Sequence, residues 1–152
     1  MPEKLKFIGQ MMIKGLKKSP LKIISMENGD VMHGMKKNDE GFVDFGEAYF
    51  SKINPGAIKA WKKHRKMVCN FIVPNGKVRV VIFDEQECKF EEIILSTENY
   101  FRLTIPPNLW VGFQGICRQP SLLLNIGNIV HDPNEVEKKS INKIAYDWSV
   151  KK

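Results

Sequence analysis

The residues best suited to chemistry lie at positions 54–66, which read NPGAIKAWKKHRK. A turn signal opens this segment, a short apolar run ends at Trp61, and five basic residues follow without a break. Residues 105–113, which read IPPNLWVGF, repeat the arrangement of a proline turn followed by aromatic residues. If strands carry both segments, cations and aromatic rings meet at the mouth of a β-barrel. Such a mouth suits a phosphorylated, ring-shaped ligand.

Strand alternation predicts which of these side chains share a face. Successive side chains of a strand point to opposite sides of the sheet. If residues 57–66 are extended, one face carries Ile58, Ala60, Lys62, His64 and Lys66, and the other carries Trp61, Lys63 and Arg65. We expect one of these faces to be solvated and the other to line the interior.

Composition limits the class of protein. The 152 residues predict one domain spanning 1–152, with 43% hydrophobic and 27% charged residues, as in ordinary globular proteins. The net charge of +7 favours an anionic ligand but does not identify it. No apolar run has the length of a membrane span, so no membrane association is expected. The three cysteines lack a Cys-x-x-Cys pair, which predicts reduced thiols and a cytoplasmic location.

The elements that must position the basic segment are short. Runs rich in β-branched and aromatic residues, each bounded by Gly, Pro, Asn or Asp, predict an all-β chain with little helix. Residues 74–76, Pro-Asn-Gly, predict a hairpin between two of these runs. Weak helical periodicity covers residues 7–18, and residues 21–25 predict a strand. The charged segment 132–148 is expected to wrap the outside.

These motifs together resemble a known family. Residues 54–66 are similar to the NPGxxKAWHxHK signature of the dTDP-4-dehydrorhamnose 3,5-epimerase-like (RmlC-like) cupins, and residues 105–113 resemble their IPPGxWHGF turn. Residues 45–51, FGEAYFS, resemble the family's FGEVYFS. Residues 131–136 and 144–148 resemble its DPDE and IPYDW tail segments. The matches occur in order from about residue 21 to residue 148.

The resemblance implies a jelly-roll cupin, usually a homodimer, that acts on a nucleotide-linked 4-keto-6-deoxy sugar. In the family a histidine removes a proton beside the ketone, cationic groups hold the enolate, and a tyrosine returns a proton on the other face. No metal or cofactor is implied, and the three histidines (His33, His64 and His131) offer no paired metal-ligand spacing. The predicted partner is a nucleotide-diphosphate sugar rather than nucleic acid, because no RNP-like motif is present.

The chain departs from the family pattern at the residues that carry the reaction. Lys62 replaces the first histidine of the signature, which supplies the base, whereas the second is kept as His64. Val111 occupies the His or Asn position of the aromatic turn. The position of the tyrosine acid matches best near Val130 and His131, and the sequence shows no match for the Asp that orients the base.

Two functions therefore remain open: an epimerase or isomerase of deoxysugar and polysaccharide biosynthesis, and a catalytically silent cupin that binds a sugar nucleotide or a partner enzyme. The residues predicted to be catalytic are Lys62, His64 and His131. Those predicted to bind substrate are Lys59, Trp61, Arg79, Trp110 and Phe113, with Lys62, His64 and Trp110 facing the interior. The strand at residues 21–25 is expected to extend a partner's sheet in a homodimer.

Overall fold

The structure, a computed structural model, describes residues 13–150. This range contains twelve β-strands and two single turns of 3₁₀-helix, at Pro133–Glu135 and Ile141–Lys143. The strands are β1 (Lys17–Pro20), β2 (Ile23–Ile24), β3 (Val31–Met32), β4 (Glu47–Ile53), β5 (Ile58–His64), β6 (Cys69–Asn75), β7 (Lys77–Asp84), β8 (Lys89–Ser96), β9 (Phe101–Ile105), β10 (Trp110–Gly115), β11 (Ser121–Gly127) and β12 (Val136–Lys138).

Ten of these strands form two facing antiparallel sheets. The first sheet has the order β1-β9-β6-β11-β4, and the second has the order β12-β5-β10-β7-β8. Strands β2 and β3 form a separate two-stranded ribbon. The two five-stranded sheets bury a common apolar core, which is the arrangement of a jelly roll. The predicted all-β cupin fold with little helix is confirmed.

The core between the sheets follows from side-chain alternation. In β7, Val78, Val80 and Ile82 are fully buried and belong to the core between the sheets. The residues between them, Arg79 and Val81, lie on the opposite face of the same sheet and are also buried. Because β7 is covered on both faces, it reads as a nearly continuous apolar run.

The outer face of the second sheet is covered by the C-terminal segment, as predicted. Ile144 and Trp148 pack with Trp61, Val81 and Trp110 in a second apolar cluster. A side chain at position 112 would leave no room for this contact, because a Cβ there would lie 2.8 Å from Ala60 Cβ and 3.0 Å from the Trp148 ring. Glycine at position 112 therefore allows the segment to sit against the sheet.

Three local predictions need correction. Residues 74–76 do not form a hairpin, because β6 and β7 belong to different sheets and the turn connects one sheet to the other. Gly76 has a left-handed backbone, with φ of +91°, which suits tight turns of both kinds. The Pro-Asn-Gly signal therefore could not distinguish a hairpin within one sheet from a turn between two sheets. Half of the helix predicted over residues 7–18 lies outside the described residues, and in the other half Lys17 and Lys18 belong to β1 rather than to a helix. The strand predicted at 21–25 is reduced to β2, which pairs with β3.

Candidate active site

A β-bulge in β5 decides which basic side chains face the interior. Val111 pairs with Lys62 and Phe113 pairs with Lys59, so three steps along β5 match two steps along β10. Lys59 and Lys62 consequently lie on the same face, although simple alternation would separate them. Of the predicted companions, Ile58 packs instead against the outer cluster, whereas Ala60 contacts that cluster and also borders the interior. The Ala60–Trp61 peptide bond within the bulge is cis.

The inner face of β5 borders a cavity of about 380 Å³ between the two sheets, which we call the intersheet cavity. Its size is within the range of small-molecule sites. From the second sheet it is lined by Lys59, Ala60, Trp61, Lys62, His64, Val111, Phe113 and Lys138, and from the first sheet by Tyr49, Ser51, Cys69, Phe71, Leu123 and Asn125. Aliphatic and aromatic walls with a few polar groups are typical of a site for an organic ligand.

His64 is held by a buried carboxylate that the sequence did not reveal. His64 Nδ1 lies 2.6 Å from Oε1 of Glu135, whose side chain is fully buried. Oε2 of Glu135 accepts hydrogen bonds from the backbone amides of Arg65, Lys66 and Met67 at 3.1, 3.0 and 3.3 Å. The carboxylate therefore anchors both the imidazole and the chain segment that follows it.

The sequence HDPNEV positions this carboxylate. Asp132 accepts a hydrogen bond from the amide of Asn134 at 2.9 Å and caps the 3₁₀ turn, and Pro133 occupies its first position. The turn brings Glu135 beside β5, where its carbonyl accepts the amide of Arg65 at 2.8 Å. The family motif DPDE marked this segment, but only the fold brings Glu135 to a histidine 71 residues earlier.

Glu135 is held in the charged form. Burial is the largest effect and raises its pKa, but the hydrogen bond with His64, the backbone amides and the His64 charge together lower it below the ordinary value. In the neutral form of the His64 ring, an ionised Glu135 as acceptor places the ring hydrogen on Nδ1. Nε2 then has a free lone pair, and among residues 13–150 it has no hydrogen-bond partner. This is the protonation pattern that a general base requires.

The basic run is divided into paired and unpaired cations. On the outer face, Lys63 and Arg65 both pair with Glu137, at 2.9 and 2.8 Å. On the inner face, Lys59, Lys62 and Lys138 form no ion pair within residues 13–150. Because neighbouring carboxylates neutralise only the outer cations, the cavity keeps a net positive lining that favours an anionic ligand.

The structure brings five of the eight predicted site residues to the cavity: Lys59, Trp61, Lys62, His64 and Phe113. The indole ring of Trp61 also packs against Trp148 and Tyr146 on the outer side of the sheet, so it contributes as much to the outer cluster as to the cavity wall.

The other three predicted residues lie elsewhere. Trp110 faces outward, where its Nε1 donates to Glu85 at 3.0 Å and Lys63 and Lys139 lie over its ring. Arg79 lies on the same outer face and donates hydrogen bonds to the carbonyls of Trp148 and Ser149. Both residues alternate with the inward-facing positions of their strands. His131 is exposed on the turn before Glu135 and does not line the cavity.

The donor set fits an anion better than a metal ion. The charged groups that line the cavity are lysines, with one imidazole already committed to Glu135. Across residues 13–150, no group of three or more His, Cys, Asp and Glu side chains is placed to hold a metal ion. The same residues contain no helix that is long and apolar enough to cross a membrane.

The known proteins that this chain resembles in sequence or structure have names from sugar and polysaccharide metabolism. The fold superposes on the crystal structure of a dTDP sugar isomerase from Desulfovibrio desulfuricans G20 with a TM-score of 0.85 and 34% identity, covering 90% of this chain and 92% of that one. The "Probable low-salt glycan biosynthesis epimerase Agl13" of Haloferax volcanii is 29% identical over 115 residues, 72% of each chain. The spore coat polysaccharide biosynthesis protein SpsL of Bacillus subtilis is 26% identical over 91% of this chain and 97% of its own length.

No protein-family model matches the sequence. The first of these similarities nevertheless extends over most of both chains, and the motifs at 45–51, 54–66 and 105–113 lie in strands that build the cavity. The chain belongs to the RmlC-like family of nucleotide-sugar epimerases and isomerases.

Proposed function

We propose that this chain epimerises or isomerises a nucleotide-diphosphate-linked 4-keto-6-deoxy sugar, with His64 as the general base. The observation that carries the proposal is the contact of 2.6 Å between His64 and Glu135 at the wall of a cation-lined cavity. A buried carboxylate that orients an imidazole at the wall of a cavity is an arrangement typical of a general base. The relatives' names, a dTDP sugar isomerase and a glycan biosynthesis epimerase, support this substrate class.

The chemistry follows from the acidity of a carbon beside a ketone. Nε2 of His64 takes the hydrogen from that carbon, and the electron pair moves to the ketone oxygen to give an enolate. Lys62 supplies fixed positive charge for the enolate in a site partly shielded from water, where such charge is most effective. Glu135 stabilises the imidazolium that forms. In this assignment Lys62 is an electrostatic residue, and His64 takes the role of the histidine that Lys62 replaces.

The remaining lysines suit the nucleotide diphosphate. Lys59 and Lys138 line the same cavity as Lys62, and both are exposed enough to meet the ligand at its mouth. Lys138 pairs with Lys62 across β5 and β12, so the two cations are adjacent. Phosphate oxygens can therefore be neutralised while the sugar reaches His64.

The test is solvent hydrogen exchange. The protein is incubated in heavy water with 4-keto-6-deoxyglucose linked to dTDP, and then to UDP, CDP and GDP, and deuterium at C3 and C5 is measured. We expect exchange by the native protein and a loss of about 10²–10⁴-fold in His64→Asn. His33→Asn is the matched control, because His33 lies outside the cavity. If nucleotide diphosphates bind but no substrate exchanges, the chain is instead a silent sugar-nucleotide binder.

We also propose that the functional form is a cytoplasmic homodimer. Within the described residues β4 is hydrogen-bonded only to β11, so its outer edge is open, and Phe50 on this strand is 61% exposed. An open apolar edge favours pairing with another chain. Sedimentation as a monomer at micromolar concentration would count against the dimer.

The three cysteines Cys69, Cys88 and Cys117 form no disulfide bonds, which supports the proposed cytoplasmic location, because thiols stay reduced in that compartment.

A further inference from the structure

A phenol faces His64 from the opposite wall of the intersheet cavity. Tyr49 belongs to β4 of the first sheet, whereas His64 belongs to β5 of the second sheet, and both line the cavity. A flat ligand bound between the sheets would present one face to each residue. The resemblance to the family placed the expected acid near Val130 and His131, where no tyrosine exists.

Asn125 sets the direction of the Tyr49 hydroxyl. Asn125 is 1% exposed, and its Oδ1 accepts the backbone amide of Asn70 at 3.1 Å. This contact fixes the side-chain amide, so that Nδ2 is the atom 3.1 Å from the Tyr49 hydroxyl. An amide nitrogen donates and does not accept. The Tyr49 oxygen is therefore the acceptor, and among residues 13–150 nothing accepts the hydroxyl's own hydrogen.

We propose that Tyr49 is the second proton-transfer residue of this site and that Asn125 is the residue that positions it. This inference rests on the proposed function. It assigns the role to a residue on β4 rather than to the connection after β11, where the family pattern places the acid.

The proposed step balances in protons and electrons. His64 Nε2 takes the hydrogen from the carbon beside the ketone, and the C–H electron pair becomes the enolate π system. The enolate carbon then takes the hydroxyl hydrogen of Tyr49 from the opposite face, which inverts the centre and leaves a phenolate and an imidazolium. A proton transfer through water returns both residues to their starting states. The inverted carbon therefore carries a hydrogen derived from solvent.

The protonation state of Tyr49 agrees with this role. Burial raises its pKa above the ordinary value, and the hydrogen bond from Asn125 offsets only part of that effect. The phenol therefore remains protonated near neutral pH and is available as an acid rather than as a second base.

The experiment separates proton removal from proton return. Tyr49→Phe is incubated in heavy water with the keto-sugar nucleotide that the native protein accepts, and deuterium in recovered substrate is measured beside the amount of inverted product. We expect inversion to fall at least 10²-fold while deuterium entry into substrate of unchanged configuration stays within about tenfold. A purely structural role would lower both rates together. Tyr100→Phe is the matched control, because it loses a phenol that donates to the His33 carbonyl away from the cavity.

A second variant tests the positioning residue. Asn125→Asp keeps an oxygen for the Asn70 amide but replaces the donor with an acceptor, which draws the Tyr49 hydrogen away from the ligand. We expect inversion to fall about tenfold or more with exchange retained, and Asn125→Asp to add little to Tyr49→Phe. Equal loss of exchange and inversion in Tyr49→Phe, or no loss of either, overturns the inference alone. No exchange by the native protein with any substrate overturns the proposed function as well.

Discussion

Replacing Glu135 by glutamine tests the orientation of the base without changing the shape of the site. The side chain keeps its size, but it exchanges one of its two acceptor oxygens for a donor NH₂ group. Three backbone amides point at the position of Oε2, so the remaining oxygen must occupy that position. The NH₂ group then faces His64 Nδ1 and forces it to accept a hydrogen bond. The imidazole hydrogen moves to Nε2, where it blocks proton abstraction.

The expected loss can be worked from these contacts. Restoring the productive tautomer requires breaking the new hydrogen bond and leaving two donors facing each other, which costs about 1–3 kcal/mol, or roughly 5- to 150-fold. The imidazolium that forms also loses its carboxylate partner at 2.6 Å, which adds a further factor. A carboxylate-to-amide change beside a catalytic histidine has cost about 10⁴-fold in a serine protease. We therefore expect exchange and turnover to fall about 10²–10⁴-fold.

The assay is the rate of deuterium entry into the keto-sugar nucleotide, measured beside the affinity for nucleotide diphosphate. Glu137→Gln is the matched control, because Glu137 is two residues away but pairs with outward cations. We expect Glu135→Gln to bind the nucleotide normally, and its stability to fall by about 1–3 kcal/mol because a buried acceptor is lost. Exchange within threefold of the native rate in a folded Glu135→Gln protein would refute the role of His64 as an oriented base.

Two further predictions concern charge. Lys62→Gln should lower kcat/KM about 10²-fold. Lys63→Gln removes the neighbouring outward cation, so it should change kcat/KM less than threefold and lower the stability by at most about 1 kcal/mol. Steady-state kinetics and thermal unfolding measure these effects, and equal losses of kcat/KM in the two variants would contradict the division between inner and outer cations. Hydrogen bonds from Lys63 and then Arg65 lower the pKa of Glu137 to about 2. Because the folded-state pKa of Glu137 lies below the unfolded one, the stabilisation by these pairs is present above about pH 4.5 and is lost as the pH falls towards 2. The free energy of unfolding of Glu137→Gln, measured with denaturant, should therefore decrease less over this pH range than that of the native protein.

Local signals in the sequence were sufficient for the fold class and for part of the site. Short apolar runs between turn residues specify strands because β-branched residues and turn formers act over a few neighbours. Alternation placed Lys62 and His64 on one face, and the structure agrees. The motifs gave the family, because 54–66 and 105–113 are continuous segments that the fold does not rearrange internally.

The pairing of distant strands decided the rest. The bulge opposite Gly112 turned Lys59 inward and moved Ile58 outward, and no property of β5 alone specifies a register with β10. For the same reason Trp110, which follows a motif turn, faces away from the cavity.

The polar partners of the site also come from long-range contacts. Glu135 lies 71 residues from His64, and Asn125 lies 76 residues from Tyr49. Hydrogen bonds over such separations leave no periodic trace in the sequence, because each residue satisfies only its own local strand or turn pattern. The sequence by itself therefore determined the jelly-roll family and the presence of a histidine among cations. Only the tertiary structure decided which carboxylate orients that histidine and which phenol lines the same cavity from the other sheet. The physical reason is that the pairing of distant strands and the packing of the two sheets bring these groups together.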